Sequence, residues 1–538
     1  MWRKRFSKSS SDTESGYESL DDSPPPEEFF QKTSDFRFTP SRVLKAIQNT
    51  AIGKAYDSPT QGMNPRMFNC ASAAVCLSVA FNHICTKSKA QPTNPIFNFY
   101  LRPTLKSSSK PKDIEKSYRP LAISGLPLVF YERVLCSYME KKVDQSLPET
   151  SYAYRPGRGA SMAILKLKML LQQKGAIAFF LDASDAFGCI KWQQLFDIMR
   201  KKGFDENLIA AIGRLYRLSC GRVVWRGESS MTFVFQSGVR QGGSISGHLF
   251  NLYFSCLDII GNRGVMIFYA DDLVIVVFHP WAAVSVLHEL AELSQQMNIN
   301  WNPDKCKVLH MAVDSRHDFE FYGKILENVS RFVYLGWIIV NKRTSIDDEQ
   351  AARQACRLYA AAHETSQAYQ FTRQLPWNER VNFAKTFGGL YAPECFTSLS
   401  AKALSRLRGA HRYLYMKLTG WEGEECFDEE ASVSSLSIGS DDSAEEYYDK
   451  RSRWLYAYAA TNEKLTKFRG IRNPYGTEWN PEPVLSMDIY HLKPAPSVEY
   501  QLRKAQYRIK VVSRKLCLGL DMEEIRFSKS LVKVVSPV

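Results

Sequence analysis

Val265-Met266-Ile267-Phe268-Tyr269-Ala270-Asp271-Asp272-Leu273-Val274-Ile275-Val276-Val277-Phe278 is the stretch on which the fold turns. Two runs of β-branched and aromatic residues flank Ala270-Asp271-Asp272. Apolar strands joined by a short acidic turn predict a hairpin with its carboxylates at the tip. A further acid, Asp182, ends another strand-like run, Ala176-Ile177-Ala178-Phe179-Phe180-Leu181. Between the two lie Gly247 to Leu257, where Leu249, Phe250, Tyr253 and Leu257 keep helical spacing, and residues 281–297 beyond the hairpin form an amphipathic helix pattern. Strand, helix, hairpin, helix is the pattern of a split βαβ unit with helices on one face, an α+β arrangement.

Outward from this centre the composition changes. Residues 1–36 are rich in Ser, Asp, Glu and Pro, including Pro24-Pro25-Pro26, and are expected to be a disordered leader. Thr39-Pro40-Ser41 offers helix-entry chemistry, and Val43, Ala46 and Ile47 follow at helical spacing. Helical and turn segments are predicted to alternate from 37 to 175. Phe68 to Cys85 is interrupted by Asn69, Ser72, Ser78 and Asn82, which predicts a buried helix rather than a membrane span. Residues 346–421 carry helical patterning, 422–450 are acidic and Ser-rich like a linker, and 451–538 form an extension of unassigned role. In that extension Arg503-Lys504-Ala505-Gln506-Tyr507-Arg508-Ile509-Lys510 interleaves cations with an aromatic, the pattern of either a solvated helix face or an RNA contact.

At 538 residues the chain is too long for one core, and its 45% hydrophobic and 23% charged shares are ordinary for globular proteins. A net charge of +14 favours an anionic partner, nucleic acid being the commonest. The 12 cysteines stand singly with no CxxC pair, which excludes a zinc ribbon or knuckle and suits a reducing compartment. Met1-Trp2-Arg3-Lys4-Arg5 is basic with no apolar run after it, so no secretory leader is expected. An intracellular protein, nuclear or cytoplasmic and without membrane attachment, is the expectation.

A lone Asp-Asp pair occurs in any turn, so the neighbouring residues must narrow its meaning. The first acid sits in Leu181-Asp182-Ala183-Ser184-Asp185-Ala186-Phe187, and the pair in Phe268-Tyr269-Ala270-Asp271-Asp272. Between them runs Ser237-Gly238-Val239-Arg240-Gln241-Gly242-Gly243-Ser244-Ile245-Ser246-Gly247-His248-Leu249-Phe250-Asn251. Acids at strand ends that a sheet can bring together suit two hard cations roughly 3.5–4 Å apart, which need clustered oxygen ligands on rigid strands. Phosphodiester synthesis uses such a pair, one ion acidifying a 3′-hydroxyl and the other holding a triphosphate.

Taken in order, these segments resemble the reverse transcriptase of non-LTR (LINE-type) retrotransposons, with its L-D-x-x-x-A-F segment, G-V-R-Q-G loop and Y-A-D-D. Ser117-Tyr118-Arg119-Pro120-Leu121, Ala153-Tyr154-Arg155-Pro156-Gly157-Arg158, Asn302-Pro303-Asp304-Lys305-Cys306 and Phe332-Val333-Tyr334-Leu335-Gly336 are similar to further family segments. The resemblance spans about residues 39–420. It implies a right-hand polymerase: fingers and an N-terminal extension over 37–175, a palm with part of the fingers and the primer-grip hairpin over 176–345, and a helical thumb over 346–421. It implies an RNA-directed DNA polymerase acting on an RNA template, a DNA primer and dNTPs, with two Mg²⁺ ions or Mn²⁺ as cofactor.

Carried over residue by residue, the resemblance makes Asp182 and Asp271 ligands of both metals, with Asp272 a supporting acid and Ala183 a backbone ligand. The amides of Asp185 and Ala186 would meet the triphosphate, and Phe187 would lie under the sugar and collide with a 2′-hydroxyl. Gln241 and Gly242 would shape the nucleotide pocket. Arg119 and Lys106 would neutralise the triphosphate, Lys106 competing with Lys110 and Lys112 for that role. Lys305 would protonate the leaving pyrophosphate, and Tyr334, Leu335 and Gly336 would hold the primer end.

Two positions depart from the family pattern. Gly188 stands where an acid usually follows Ala-Phe, and Gly247 where Pro usually follows Ser. Neither removes an expected metal ligand, but both leave room for a catalytically inactive or domesticated nucleic-acid-binding relic. An RNA-copying polymerase shares the acids, and Phe187 argues against it. No endonuclease or RNase H pattern is legible, so target cleavage would fall to another polypeptide or a missing segment.

Overall fold

Strand β3 (Ile177–Ser184) opens with five consecutive buried residues, Ile177 to Leu181, and β8 (Asp272–Val277) ends with five, Leu273 to Val277. Unbroken apolar runs of this kind belong to strands covered on both faces. The computed structural model describes residues 36–52, 63–86, 95–106, 111, 117–225, 227–311, 317–342, 346–372 and 386–419. Residues 1–35, the acidic stretch 422–450, the extension 451–538, Lys110 and Lys112 lie outside the described residues. The chain divides into two compact units, Met1–Ser330 and Arg331–Val538.

In the first unit β3 and β8 form the middle of a sheet ordered β13–β10–β3–β8–β7, with β9 also paired to β3. Its other strands are β7 (Gly264–Tyr269), β9 (Asn300–Trp301), β10 (Lys307–His310) and β13 (Glu327–Asn328). The predicted hairpin is β7–β8, paired antiparallel from Gly264↔Val277 to Tyr269↔Asp272. Two predicted helices also form: α7 over Ser246–Phe254 and α8 over Pro280–Gln296. α8 buries Ala282, Ala283, Val286, Leu287 and Leu290, the stripe that its sequence spacing encodes.

A second sheet departs from the sequence expectation of helices and turns before residue 175. β1 (Asn98–Leu105) and β2 (Tyr118–Ser124) pair antiparallel, with Pro103 opposite Pro120. Proline donates nothing to a ladder and argues against strand assignment, which hides this pair in the sequence. β4 (Cys220–Trp225) adds to β1, and β5 (Glu228–Ser229) and β6 (Phe233–Val234) add to β4.

Helix α1 (Pro40–Gln48) starts as its sequence predicts, with the Thr39 hydroxyl accepting from the Arg42 amide at 3.4 Å. Phe36, assigned by sequence to the leader, is buried, its ring 4.8 Å from that of Tyr138. α2 (Ala71–Thr86) occupies the apolar stretch, yet Val75 and Val79 are exposed, so the helix is covered on one face only. Among the described residues no helix is long and apolar enough to cross a membrane.

Helices α3 (Leu126–Ser146), α4 (Ala160–Leu171), α5 (Trp192–Lys201) and α6 (Glu206–Arg217) complete the unit. From α3, the carboxylate of Glu132 pairs with the Arg240 guanidinium, both fully buried, and also accepts from the Ser244 amide at 2.8 Å.

The short hairpins β11 (Glu320–Phe321) with β12 (Lys324–Ile325), in the first unit, and β14 (Arg331–Tyr334) with β15 (Trp337–Val340), in the second, follow in chain order. In the second unit the turn of the latter holds Leu335 at φ 46 and Gly336 at φ 79. α9 (Ile346–Thr372) and α10 (Ala401–Thr419) pack together. Asp347 fixes the start of α9 by accepting from the amides of Thr397 and Ser398 at 2.8 and 2.7 Å.

A buried pair that loses one partner leaves an uncompensated charge. Glu132→Ala is expected to cost about 3–5 kcal/mol in urea unfolding, and adding Arg240→Met should recover much of that loss. Equal stability of Glu132→Ala and wild type would contradict this role.

Candidate active site

The acids converge because of strand register. β3 and β8 run antiparallel with Asp182 directly opposite Asp272. Residues opposite each other on paired strands share a face, with Cβ atoms ~4.5–5.5 Å apart. Asp271 comes next to Asp272 at the hairpin tip, where Ala270 takes φ 52. That left-handed conformation costs a non-glycine residue about 1–2 kcal/mol, so the tip holds its acids under backbone strain.

Their charges act on one another. Asp271 is exposed, but partial dehydration raises its carboxyl, as does the charge of Asp182, while Arg119 and Lys305 oppose the rise. Asp272 is pushed up to about 6, first by burial and then by Asp271 and Asp182, with Arg119 opposing. Asp182 holds the Lys305 ammonium at 2.8 Å from its Oδ2. The backbone fixes this pair: the Asn302 amide donates to the Asp182 carbonyl at 3.0 Å, and the Lys305 amide to Asn302 at 3.0 Å.

Among the described residues no group of three His, Cys, Asp or Glu side chains stands arranged to hold a metal ion. The donor chemistry nevertheless fits hard divalent cations: three neighbouring carboxylates, one carrying an ammonium and two resisting ionisation.

Around the acids, two loops are tied to each other. Turn 185–190 begins with Asp185 at φ 48, whose carbonyl accepts from the amides of Gly188 and Cys189 at 2.8 and 3.0 Å. A Cβ at Gly188 would lie 2.5 Å from the Asp185 Oδ2. An acid at 188 would therefore require the Asp185 carboxylate to swing aside. Loop 237–243 joins this turn through Gly238 N to the Ile190 carbonyl at 2.8 Å and Val239 N to the Phe187 carbonyl at 2.8 Å.

The same loop reaches the second sheet. The Ala122 amide donates to the Gln241 carbonyl at 2.7 Å, and Gly242, at φ 110, approaches the Ala122 carbonyl so closely that a Cβ would lie 2.7 Å away. Only glycine suits both demands. Arg119, on that same strand β2, is exposed and close enough to influence Asp271 and Asp272. Lys106 stands exposed one residue past β1, its amide bonded to the Ser117 carbonyl at 2.8 Å.

Ala183 is buried in register with Trp301 of β9, and Ala186 is buried in the turn. The half-buried ring of Phe187 stacks on Phe250 at 4.7 Å, which in turn stacks on Phe254 at 4.2 Å. Asp182, Asp271, Asp272, Lys305 and Arg119 thus form one electrostatic group. The turn holding Ala186 and Phe187 and the loop holding Gln241 and Gly242 are bonded to each other. Tyr334, Leu335 and Gly336 belong to the second unit, where the Leu335 carbonyl accepts from the Tyr391 hydroxyl and the Gly336 carbonyl from Arg353 at 3.0 Å.

Sequence reasoning missed Glu132 and the burial of Arg240. A charged residue inside a glycine-rich loop reads as solvent-facing, and nothing local marks its partner more than a hundred positions away.

Residues 108–339 match the family described as reverse transcriptase (RNA-dependent DNA polymerase). Among solved structures, an apo telomerase from Candida tropicalis, truncated from its C-terminal domain, is similar at 13% identity and a TM-score of 0.31. The match covers 47% of this chain and 59% of that chain.

An acid whose folded pKa is raised to about 6 weakens the fold as pH rises from its unfolded value near 4 through 6. In EDTA, Asp272→Asn should therefore melt about 2–4 °C above wild type at pH 7.5, the gap closing by pH 4. Millimolar Mn²⁺ should raise the melting temperature of wild type and shrink that gap. A gap that persists at pH 4 would show that charge is not its cause.

Proposed function

We propose that the reverse-transcriptase domain at residues 108–339 works as an RNA-directed DNA polymerase of LINE type, adding dNTPs to a primer 3′-hydroxyl on an RNA template. The observation that carries this reading is the opposition of Asp182 and Asp272 across paired strands, with Asp271 beside them. We read the first unit as palm and fingers, and the β14–β15 hairpin and following helices as primer grip and thumb.

Two Mg²⁺ or Mn²⁺ ions would supply the Lewis acidity, one activating the 3′-hydroxyl and one stabilising the pyrophosphate. Asp182 and Asp271 would hold both, aided by Asp272 and the Ala183 carbonyl. Arg119, with Lys106, would draw in the triphosphate through charge-assisted contacts, and the Asp185 and Ala186 amides would orient it. Phe187 would press on the sugar and reject a 2′-hydroxyl. The close backbone approach at Gln241 and Gly242 would fit the rest of the nucleotide. Lys305 would leave Asp182 when a cation arrives and donate a proton to the departing pyrophosphate.

Template and primer would bind mainly through their backbones, with affinity falling steeply with salt. We include an intracellular location, nuclear or cytoplasmic, a reading supported by the free thiols of the described cysteines.

The Lys305 ammonium on Asp182 favours a second reading, in which a lysine occupies the cation's place and the chain is an inactive relic that binds nucleic acid. Primer extension on poly(rA)/oligo(dT) with dTTP and Mg²⁺ separates the two. The polymerase incorporates dTTP and loses about 10³-fold or more in rate on Asp271→Ala. A relic binds the template-primer and incorporates nothing. Phe187→Val should relax sugar discrimination, raising rUTP use relative to dTTP by about 10–100-fold; an unchanged ratio would remove Phe187 from that role.

A further inference from the structure

Tyr154 has no part in the chemistry above, yet the protein goes to some length to hold it. Its backbone takes φ 54, a left-handed conformation that is an outlier for a bulky residue. Strain of this kind persists only where the surroundings impose it, and it concentrates at functional sites. Here the surroundings do impose it.

Tyr152 and Ala153 just before it, and Arg155 just after it, are buried, while Tyr154 is 49% exposed. On the upstream side, the Tyr152 amide donates to the Phe268 carbonyl at 2.9 Å and the Phe268 amide to the Thr150 carbonyl at 3.0 Å. The segment therefore runs along β7 toward Asp271. Arg155 donates to the Asp144 carboxylate at 2.6 Å and to the carbonyls of Pro148, Ser151 and Asp144. Asn251 of α7 donates to the Ala153 carbonyl at 2.7 Å.

The Tyr154 ring lies over Gly247, where a Cβ would come within 2.5 Å of its Cγ and 2.7 Å of its Cδ1. Glycine at 247 thus makes room for the ring at the start of α7. Its phenol is raised by partial burial and by the charges of Asp271 and Tyr269, and lowered by Arg119. The bonds of Thr150 and Tyr152 to Phe268, three residues before Asp271, set this segment beside the acid-bearing hairpin.

We propose that Tyr154 is a substrate-contacting residue, an aromatic platform seated on Gly247 against which the nascent base pair stacks. An exposed ring face at such a place suits stacking, which any base can provide. The inference rests on the polymerase reading and adds a residue to it.

The test is steady-state dTTP incorporation on poly(rA)/oligo(dT), with template-primer affinity and melting temperature measured alongside. Tyr154→Ala should raise the KM for dTTP by about 10-fold or more, with melting temperature and template-primer Kd little changed. Tyr154→Phe, which keeps the ring, should restore most of that loss. Gly247→Ala, which pushes the ring aside, should mimic Tyr154→Ala. The double substitution should be no worse than either single one, because both remove the same contact.

Active wild type with Tyr154→Ala inside twofold of it overturns this inference alone. So does a Tyr154→Ala that weakens template-primer binding without changing the KM for dTTP, or additive losses in the double variant. Wild type that incorporates nothing overturns the polymerase reading and this inference with it.

Discussion

The register between β3 and β8 is the constraint from which the rest of the site follows. Side chains along a strand alternate faces, so a slip of one residue would turn Asp182 away from Asp272. The slip is resisted by packing, since Ile177 to Leu181 and Leu273 to Val277 are all buried and a shift of one residue would force every one of them to repack. The same apolar packing that makes these strands central sets the acids at their ends against one another.

Carboxylates forced together repel, and the surrounding residues carry that load. Lys305 answers Asp182 directly, and Arg119 opposes the rise in Asp271 and Asp272 from the neighbouring sheet. The strand bearing Arg119 is joined to the glycine loop through Ala122 and Gln241, and the loop to turn 185–190 through Val239 and Phe187. Behind the loop, the buried Glu132–Arg240 pair and the Ser244 amide fix its far side. Three separate stretches of chain thus form one braced rim around the acids, and a shift in any of them would be felt by the others.

The parts of this arrangement legible in the sequence are those with local patterns. The β7–β8 hairpin, the strand ending near Asp182, and helices α7 and α8 all announce themselves by periodicity or by β-branched runs around a turn. The β1–β2 pair does not, because Pro103 and Pro120 break the strand pattern at the same rung. Phe36 was hidden by a polar leader composition; α2 forms as its apolar stretch predicts, but its open face was not legible, since the stretch reads as wholly buried although Val75 and Val79 face solvent. Long-range polar links were invisible for a different reason. The identity of Glu132 says nothing about Arg240, and Tyr154 gains meaning only when the chain brings it over Gly247.

The central claim, that three acids at one sheet end form a divalent-cation site, is tested most directly by anomalous diffraction from crystals soaked in Mn²⁺. The account predicts manganese peaks at coordination distance, about 2.0–2.3 Å, from carboxylate oxygens of Asp182 and Asp271, with the Lys305 ammonium moved off Asp182. Manganese bound elsewhere, or an intact Lys305–Asp182 pair with no peak beside it, would contradict it.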